Sequence, residues 1–71
     1  MAIKDMSEYF DSIILANSKR KYKDVQQMLA MLDTTGKANL VSYVREHASF
    51  QLNENMQDVC MKCQALIDLS D

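Results

Sequence analysis

The chain has 71 residues, of which 48% are hydrophobic and 25% charged, and its formal net charge is −2. This composition is typical of a globular protein and argues against disorder, and so small a net charge does not by itself indicate a polyion as the partner. With no proline and one glycine, the sequence lacks the turn residues of a small all-β protein. We therefore predict a single all-α domain over residues 1–71, a compact bundle of four short amphipathic helices with a helix-turn-helix corner at its centre.

The first predicted helix runs from about Ile3 to Leu15. Its apolar residues recur at helical spacing and share one face, which comprises Ile3, Met6, Phe10, Ile13 and Ile14. Leu15 interrupts this pattern because it falls among the polar positions. Asn17 and Ser18 predict the end of this helix and the N-cap of the next. Because neither proline nor glycine enforces the break, one long bent helix is the alternative.

The second predicted helix spans about Lys19–Leu32 and leads into the central corner. Its predicted core face comprises Tyr22, Val25, Met28, Leu29 and Leu32. The four residues of Asp33–Gly36 all favour turns or helix caps, and such residues stand together nowhere else in the chain. We therefore predict the corner within residues 29–44, with its turn at Asp33–Gly36.

The third predicted helix starts at a Thr34 or Thr35 cap and continues to about Ala48. Its core stripe comprises Leu40, Val41, Val44 and Ala48. Phe50 and Leu52 fall off that stripe, so we expect them to fill the core from the connecting turn.

The fourth predicted helix is capped by Asn53 or Asn55 and reaches about Leu69. Its apolar face is narrow and comprises Met56, Val59, Cys60, Cys63, Leu66 and Ile67. Across the whole chain, we predict the most buried residues to include Leu29, Leu32, Leu40, Val44, Val59, Cys63 and Leu66.

The sequence carries little that indicates catalysis or a metal site. Cys60 and Cys63 have the spacing of half a zinc or redox site, but no second cysteine pair exists and His47 is the sole histidine. Both cysteines fall on a core face, so we predict buried, reduced, inert thiols. His47 is predicted to be half-exposed and without a catalytic role, and no glycine-rich phosphate loop is present. We predict a non-enzymatic protein with no cofactor, no metal ion and no small-molecule substrate.

The location of the protein is predicted from apolar runs and cysteine usage. No apolar run approaches the ~20 residues of a membrane span, and no signal-peptide region is recognisable. Two cysteines three residues apart do not make a disulfide framework. We therefore expect a cytoplasmic protein without a membrane partner.

The basic cluster is the one anomaly of charge, with four of the eight basic residues in five positions: Lys19, Arg20, Lys21 and Lys23. If the helix begins at Ser18, three cations occupy its first turn, where the helix dipole disfavours each by ~0.3–1 kcal/mol at low salt. Cations at a helix end that disfavours them often mark a functional surface, here one that binds phosphates or an acidic protein. The alternative is a solvated helix start that the acidic residues of the first helix neutralise.

Apolar outliers suggest a protein-binding surface. They fall outside the predicted core stripes and comprise Leu15, Met31, Met61 and Leu69. Single exposed apolar residues are normal, but a cluster of them would form an adaptable protein-binding face or a dimer seam. Our first functional hypothesis is therefore a small protein–protein interaction module, a regulator or inhibitor that binds a partner's surface or forms a homodimer.

The alternative hypothesis is a DNA-binding regulator that uses the corner and the third helix. In a DNA-binding helix-turn-helix, a small residue is followed four positions later by a turn glycine. Ala30 fits the small position, but the fourth residue on is Thr34, and the glycine comes later, at Gly36. The side chains of the third helix that would contact nucleic acid are Lys37, Asn39, Tyr43 and Arg45.

Overall fold

The structure is a computed structural model that describes residues 2–69, with side chains from residue 6 onward. Its elements are α1 (Ala2–Ser18), α2 (Tyr22–Ala30), α3 (Thr34–Arg45), a 3-10 turn (Phe50–Leu52) and α4 (Glu54–Leu69). Residues 2–69 contain four α-helices and no strand, which confirms the predicted all-α bundle. No helix in this range has the length and apolar character needed to cross a bilayer. The predicted core position of Ile3 lies outside the described side chains.

One hydrophobic core joins the four helices, and α3 packs mainly against α4. Its fully buried side chains are Ile13, Val25, Leu29, Leu40, Val44, Val59 and Cys63. The residues predicted to be most buried are all buried except Leu66, which is partly buried. The core position predicted for Tyr22 is wrong: its side chain is 48% exposed, and its ring centroid lies 4.0 Å from Lys62 Nζ.

The break between α1 and α2 lies later than the sequence predicted. Asn17 and Ser18 are the last two residues of α1 rather than a break and an N-cap. The Ser18 hydroxyl donates a hydrogen bond back to the Leu15 carbonyl of its own helix (2.6 Å). The connection is residues 19–21, and it separates two distinct helices, so the bent-helix alternative is wrong.

Backbone hydrogen bonds explain why α1 ends where it does. The Lys21 N–H donates to the Ala16 carbonyl (3.0 Å), and the Arg20 N–H donates to the Asn17 carbonyl (3.1 Å). This pair of bonds is the Schellman motif, which requires a left-handed residue directly after the helix. Arg20 supplies it with a φ of 62°.

Asn17 holds the end of α1 against α4 through a buried polar network. Its side chain is 4% exposed, and its Nδ2 donates to Asn55 Oδ1 (2.7 Å) and to Asp58 Oδ2 (3.0 Å). Its Oδ1 accepts a hydrogen bond from Lys62 Nζ (2.7 Å), and Asn55 Nδ2 donates to the Ile14 carbonyl (2.9 Å). These hydrogen bonds form together at one alignment of the two helices, so they fix the register of α1 on α4.

The predicted corner is present between α2 and α3, but with a different cap. Asp33 is the N-cap of α3, and its Oδ1 accepts a hydrogen bond from the Gly36 N–H (2.7 Å). The caps predicted at Thr34 or Thr35 are wrong because both residues lie inside the helix. Gly36 is a buried residue of the first helical turn, not a turn residue, and a Cβ there would lie 3.2 Å from Leu32 Cδ2.

α3 ends at Arg45, before the end predicted at about Ala48, and its connection to α4 contains the 3-10 turn. Phe50 packs partly buried against the core, as predicted. The prediction for Leu52 is wrong, because the turn directs its side chain to solvent, where it is 92% exposed. Asn53 caps α4 as one of the two predicted candidates, since its Oδ1 accepts a hydrogen bond from the Met56 N–H (3.1 Å).

Candidate interaction surfaces

The basic cluster lies where α1 ends and α2 begins. Only Lys23 lies in the first turn of α2, so the prediction that three cations occupy that turn is wrong. Lys19 and Arg20 directly follow the C-terminus of α1, whose dipole stabilises positive charge. All four residues of the cluster are exposed, and none of them forms an ion pair within the described part of the chain. Their charges are therefore available to a partner.

A groove of 330 Å³ between α1 and α2 combines residues of two predicted sets. Leu15, one of the apolar outliers, lines it together with Lys19 and Lys21 of the basic cluster. The other lining residues are Ser12, Ala16, Asp24, Gln27 and Met28. Arg20 and Lys23 do not line this groove, so the structure divides the basic cluster.

A second depression, of 320 Å³, continues the same groove toward the end of α2 and is lined by Tyr9, Gln27, Met28 and Met31. Met31, another predicted outlier, is 81% exposed. The Tyr9 hydroxyl donates to the Met28 carbonyl (2.8 Å), which fixes the distance between the two helices. Gln27 and Met28 line both depressions. We call the combined surface, from Tyr9 and Met31 to Lys19 and Lys21, the α1–α2 face.

The remaining outliers, Met61 and Leu69, are exposed on the outer side of α4. Ala65 lies between them at helical spacing and is also exposed. It also lines an apolar groove of 430 Å³ between α2 and α4, together with Tyr22, Val25, Gln26, Leu29, Lys62 and Leu66. The four predicted outliers therefore belong to two surfaces rather than to one patch.

On α3, two of the four residues predicted to contact nucleic acid form hydrogen bonds within the protein. Lys37 Nζ donates to a backbone carbonyl of the α2–α3 connection (2.8 Å). The Tyr43 hydroxyl donates to Asp11 Oδ1 (2.7 Å), and this hydrogen bond, burial and the Asp11 charge raise the pKa of Tyr43. Asn39 and Arg45 are exposed. Two of the four residues predicted to contact nucleic acid therefore help to hold α3 in the bundle.

Both cysteines of α4 are free and buried, in agreement with the predicted core position. The Cys63 thiol donates to the Lys37 carbonyl (3.2 Å). Burial, and then the neighbouring Cys60, raises the pKa of Cys63 to about 11, so this thiol is protonated at neutral pH. His47 is exposed, and its Nδ1 lies 3.0 Å from Ser49 Oγ. The described side chains include no group of three potential ligands that could hold a metal ion.

Sequence reasoning missed two residues that shape these surfaces. Met28 was assigned only to the core, yet its partly buried side chain also joins the two halves of the α1–α2 face. Asn17 was assigned to a break. Its spacing from Phe10 and Ile13 continues the buried side of α1, and that periodicity was the one available indication of its burial.

Comparison with known proteins gives no match to the chain: neither a family model, nor a curated protein, nor a solved structure shows significant similarity. The α1–α2 face is the one that combines apolar side chains with unpaired charge from the predicted sets.

Proposed function

We propose that the chain is a small non-enzymatic protein–protein interaction module, which regulates or inhibits a partner by covering part of its surface with the α1–α2 face. The observation that carries the proposal is the presence in one groove of exposed Leu15 and the unpaired cations Lys19 and Lys21. Exposed apolar side chains bordered by polar groups are typical of protein-binding sites. Met28 and Met31 add flexible side chains that adapt to a partner's shape.

The size of the domain favours association as well. A chain of 71 residues buries little apolar surface on its own. A partner that binds only the folded state adds to its stability by mass action. Self-association through Met61 and Leu69 on the outer side of α4 would stabilise the folded state in the same way.

A DNA-binding role for α3 has less support than a protein-binding role. Internal hydrogen bonds engage Lys37 and Tyr43, so Arg45 is the one cation of the predicted set with an exposed, unengaged side chain. DNA binding depends on several phosphate contacts from cations on one surface. We also propose a cytoplasmic location, because two cysteines three residues apart do not make the disulfide framework of a small secreted domain.

The proposal is tested by photo-cross-linking in cells of the native host, with a photoreactive residue introduced at Gln27 in the middle of the α1–α2 face. We expect a discrete cross-linked protein, identified by mass spectrometry. We expect Leu15→Ser combined with Met31→Ser to abolish it, because these changes remove the exposed apolar anchors.

The matched control is Met61→Ser combined with Leu69→Ser, which removes two exposed apolar side chains from the other surface. This control should keep the cross-link. A cross-link that survives the α1–α2 changes would contradict the proposed binding site. Analytical ultracentrifugation distinguishes a homodimer from a foreign partner.

A further inference from the structure

The positive charge of the α1–α2 face is concentrated at one end. Lys19 and Lys21 line the groove beside the α1–α2 connection, and the opposite end is formed by Tyr9 and Met31. Asp24 is the one carboxylate among the described residues that line the groove, so two lysines and one aspartate give these residues a net positive charge. The whole chain carries −2. The face is therefore a local reversal of the protein's charge, which steers an anionic partner toward it.

The remainder of the face has the shape and chemistry of a seat for a helix. Its apolar lining includes Leu15, Ala16, Met28 and Met31. The Tyr9–Met28 hydrogen bond holds α1 and α2 side by side away from their connection, and the groove between two neighbouring helices accepts the side-chain ridge of a third. From Tyr9 to Lys19 the face is ~15 Å long at 1.5 Å per residue, the length of about three helical turns.

We infer that the α1–α2 face binds an acidic amphipathic helix. Its apolar side fills the groove between Leu15 and Met31, and its carboxylates pair with Lys19 and Lys21 at one end. This inference rests on the proposed function and adds the chemistry of the partner.

Nucleic acid is a poorer fit to the same face. Phosphates would pair with Lys19 and Lys21, but the exposed side chains of Leu15 and Met31 would gain no apolar partner from a phosphate backbone. An acidic helix satisfies both parts of the face at once.

The test uses fluorescence anisotropy with a labelled helical peptide of about four turns, with leucine on one face and glutamate elsewhere. One matched peptide carries lysine in place of each glutamate, and another has the same composition scrambled so that no apolar face forms. We expect the glutamate peptide to bind at least ~10-fold more tightly than either, because only it matches both the charge and the apolar groove.

Variants of the protein assign the binding to named residues. We expect Lys19→Gln combined with Lys21→Gln to weaken binding by about 3- to 10-fold and to reduce its salt dependence, as expected for two exposed ion pairs. The matched control is Lys23→Gln, a charge loss in the same cluster but outside the groove, which should leave binding unchanged. All three positions are exposed, and melting curves verify that each variant is folded.

Several outcomes would overturn the inference. Equal binding of the three peptides would do so, as would an equal loss in the double variant and in Lys23→Gln. A short DNA duplex that binds more tightly than the glutamate peptide, with a steeper salt dependence, would assign the face to nucleic acid. If the peptide does not bind but the cellular cross-link still requires Leu15 and Met31, the inference fails and the proposed function stands.

Discussion

Arg20 has a backbone conformation that residues with side chains rarely adopt. Its φ of 62° places it in the left-handed region, two residues after the end of α1. A left-handed conformation costs an L-residue ~1–2 kcal/mol, which explains why glycine is the usual residue at this position of a Schellman motif. The backbone conformation of Arg20 helps to position Lys19 and Lys21, and it carries a local free-energy cost.

Arg20→Gly is expected to stabilise the protein. Glycine removes the free-energy cost of the left-handed conformation, and this gain exceeds the loss that comes from the greater entropy of glycine in the unfolded chain. We therefore expect the free energy of unfolding to rise by about 0.5–1 kcal/mol. Urea denaturation measures it. The control is Lys19→Gly, which loses the same charge at a residue without positive φ and should be neutral or destabilising. A loss of stability in Arg20→Gly would contradict the assigned conformation.

Asp58 links stability to pH. Hydrogen bonds from Lys62, and then from Asn17, hold the pKa of Asp58 below its ordinary value, and the charge of Lys62 acts in the same direction. A folded-state pKa below the unfolded value of about 3.9 means that the contribution is complete above that pH. It is lost as the pH falls through the folded-state pKa.

We expect Asp58→Asn to be less stable than the parent at neutral pH. We expect the difference in melting temperature to shrink below about pH 4, as the parent carboxylate is protonated. Thermal melts at a series of pH values measure this difference. A difference independent of pH across the acidic range would show that the ion pair with Lys62 contributes nothing through the charge of Asp58.

The Cys63 thiol is expected to react slowly in the folded protein. A pKa of about 11 leaves far less thiolate at pH 8 than an ordinary cysteine has, and the side chain is also fully buried. We expect modification of Cys63 by dithionitrobenzoate to be at least ~100-fold slower in the folded than in the urea-unfolded protein. Rapid modification with an unchanged melting curve would contradict the buried position of the thiol.

At the scale of the helices, Gly36 lies at a closely packed position inside α3 rather than in a turn. A Cβ at this position would lie 3.2 Å from Asp33 Oδ1 and 3.3 Å from Leu32 Cβ. Asp33 is held by its capping bond, and Leu32 Cβ moves only with the backbone. A larger residue would therefore disturb the cap that begins α3.

We expect Gly36→Ala to destabilise the protein by about 1 kcal/mol, because weakening the cap and displacing Leu32 outweigh the better helix propensity of alanine. Ala38→Gly is the matched comparison, since this exposed position of the same helix should show the plain propensity loss of ~1 kcal/mol. Both values come from urea denaturation. Stabilisation by Gly36→Ala would show that Leu32 and Asp33 move aside without cost.

Periodicity predicted the helices and most of the core, but not the helix ends. The spacing of apolar residues in each helix depends only on local geometry, so Leu40, Val44 and Val59 were identified correctly as buried. The end of α1 could not be predicted in the same way. Arg20 takes a place where glycine is usual, and Asn17 is paired with residues of α4 that lie far away in the sequence.

At the scale of the whole molecule, the sequence predicted which residues are exposed but not which of them lie together. Leu15, Met31, Met61 and Leu69 are all exposed, as their off-stripe positions indicated. Their division between two surfaces depends on the pairing of α1 with α2, which no local pattern encodes. The same pairing brings Lys19 and Lys21 next to Leu15 and separates them from Lys23.

The two exposed surfaces differ in what they offer a partner. The outer side of α4 presents Met61, Ala65 and Leu69, whereas the α1–α2 face adds unpaired lysines to its apolar residues. Charge beside apolar surface gives a partner both a preferred orientation and a faster encounter. For that reason we propose the α1–α2 face, rather than the outer side of α4, as the binding surface.

The most direct measurement is an NMR titration of the isotope-labelled protein with the glutamate peptide. We expect backbone amide shifts to concentrate on the α1–α2 face, at Leu15, Lys19, Lys21, Gln27 and Met31, and to leave α3 unaffected. Shifts concentrated at Asn39 and Arg45 on α3, or along the outer side of α4, would contradict it.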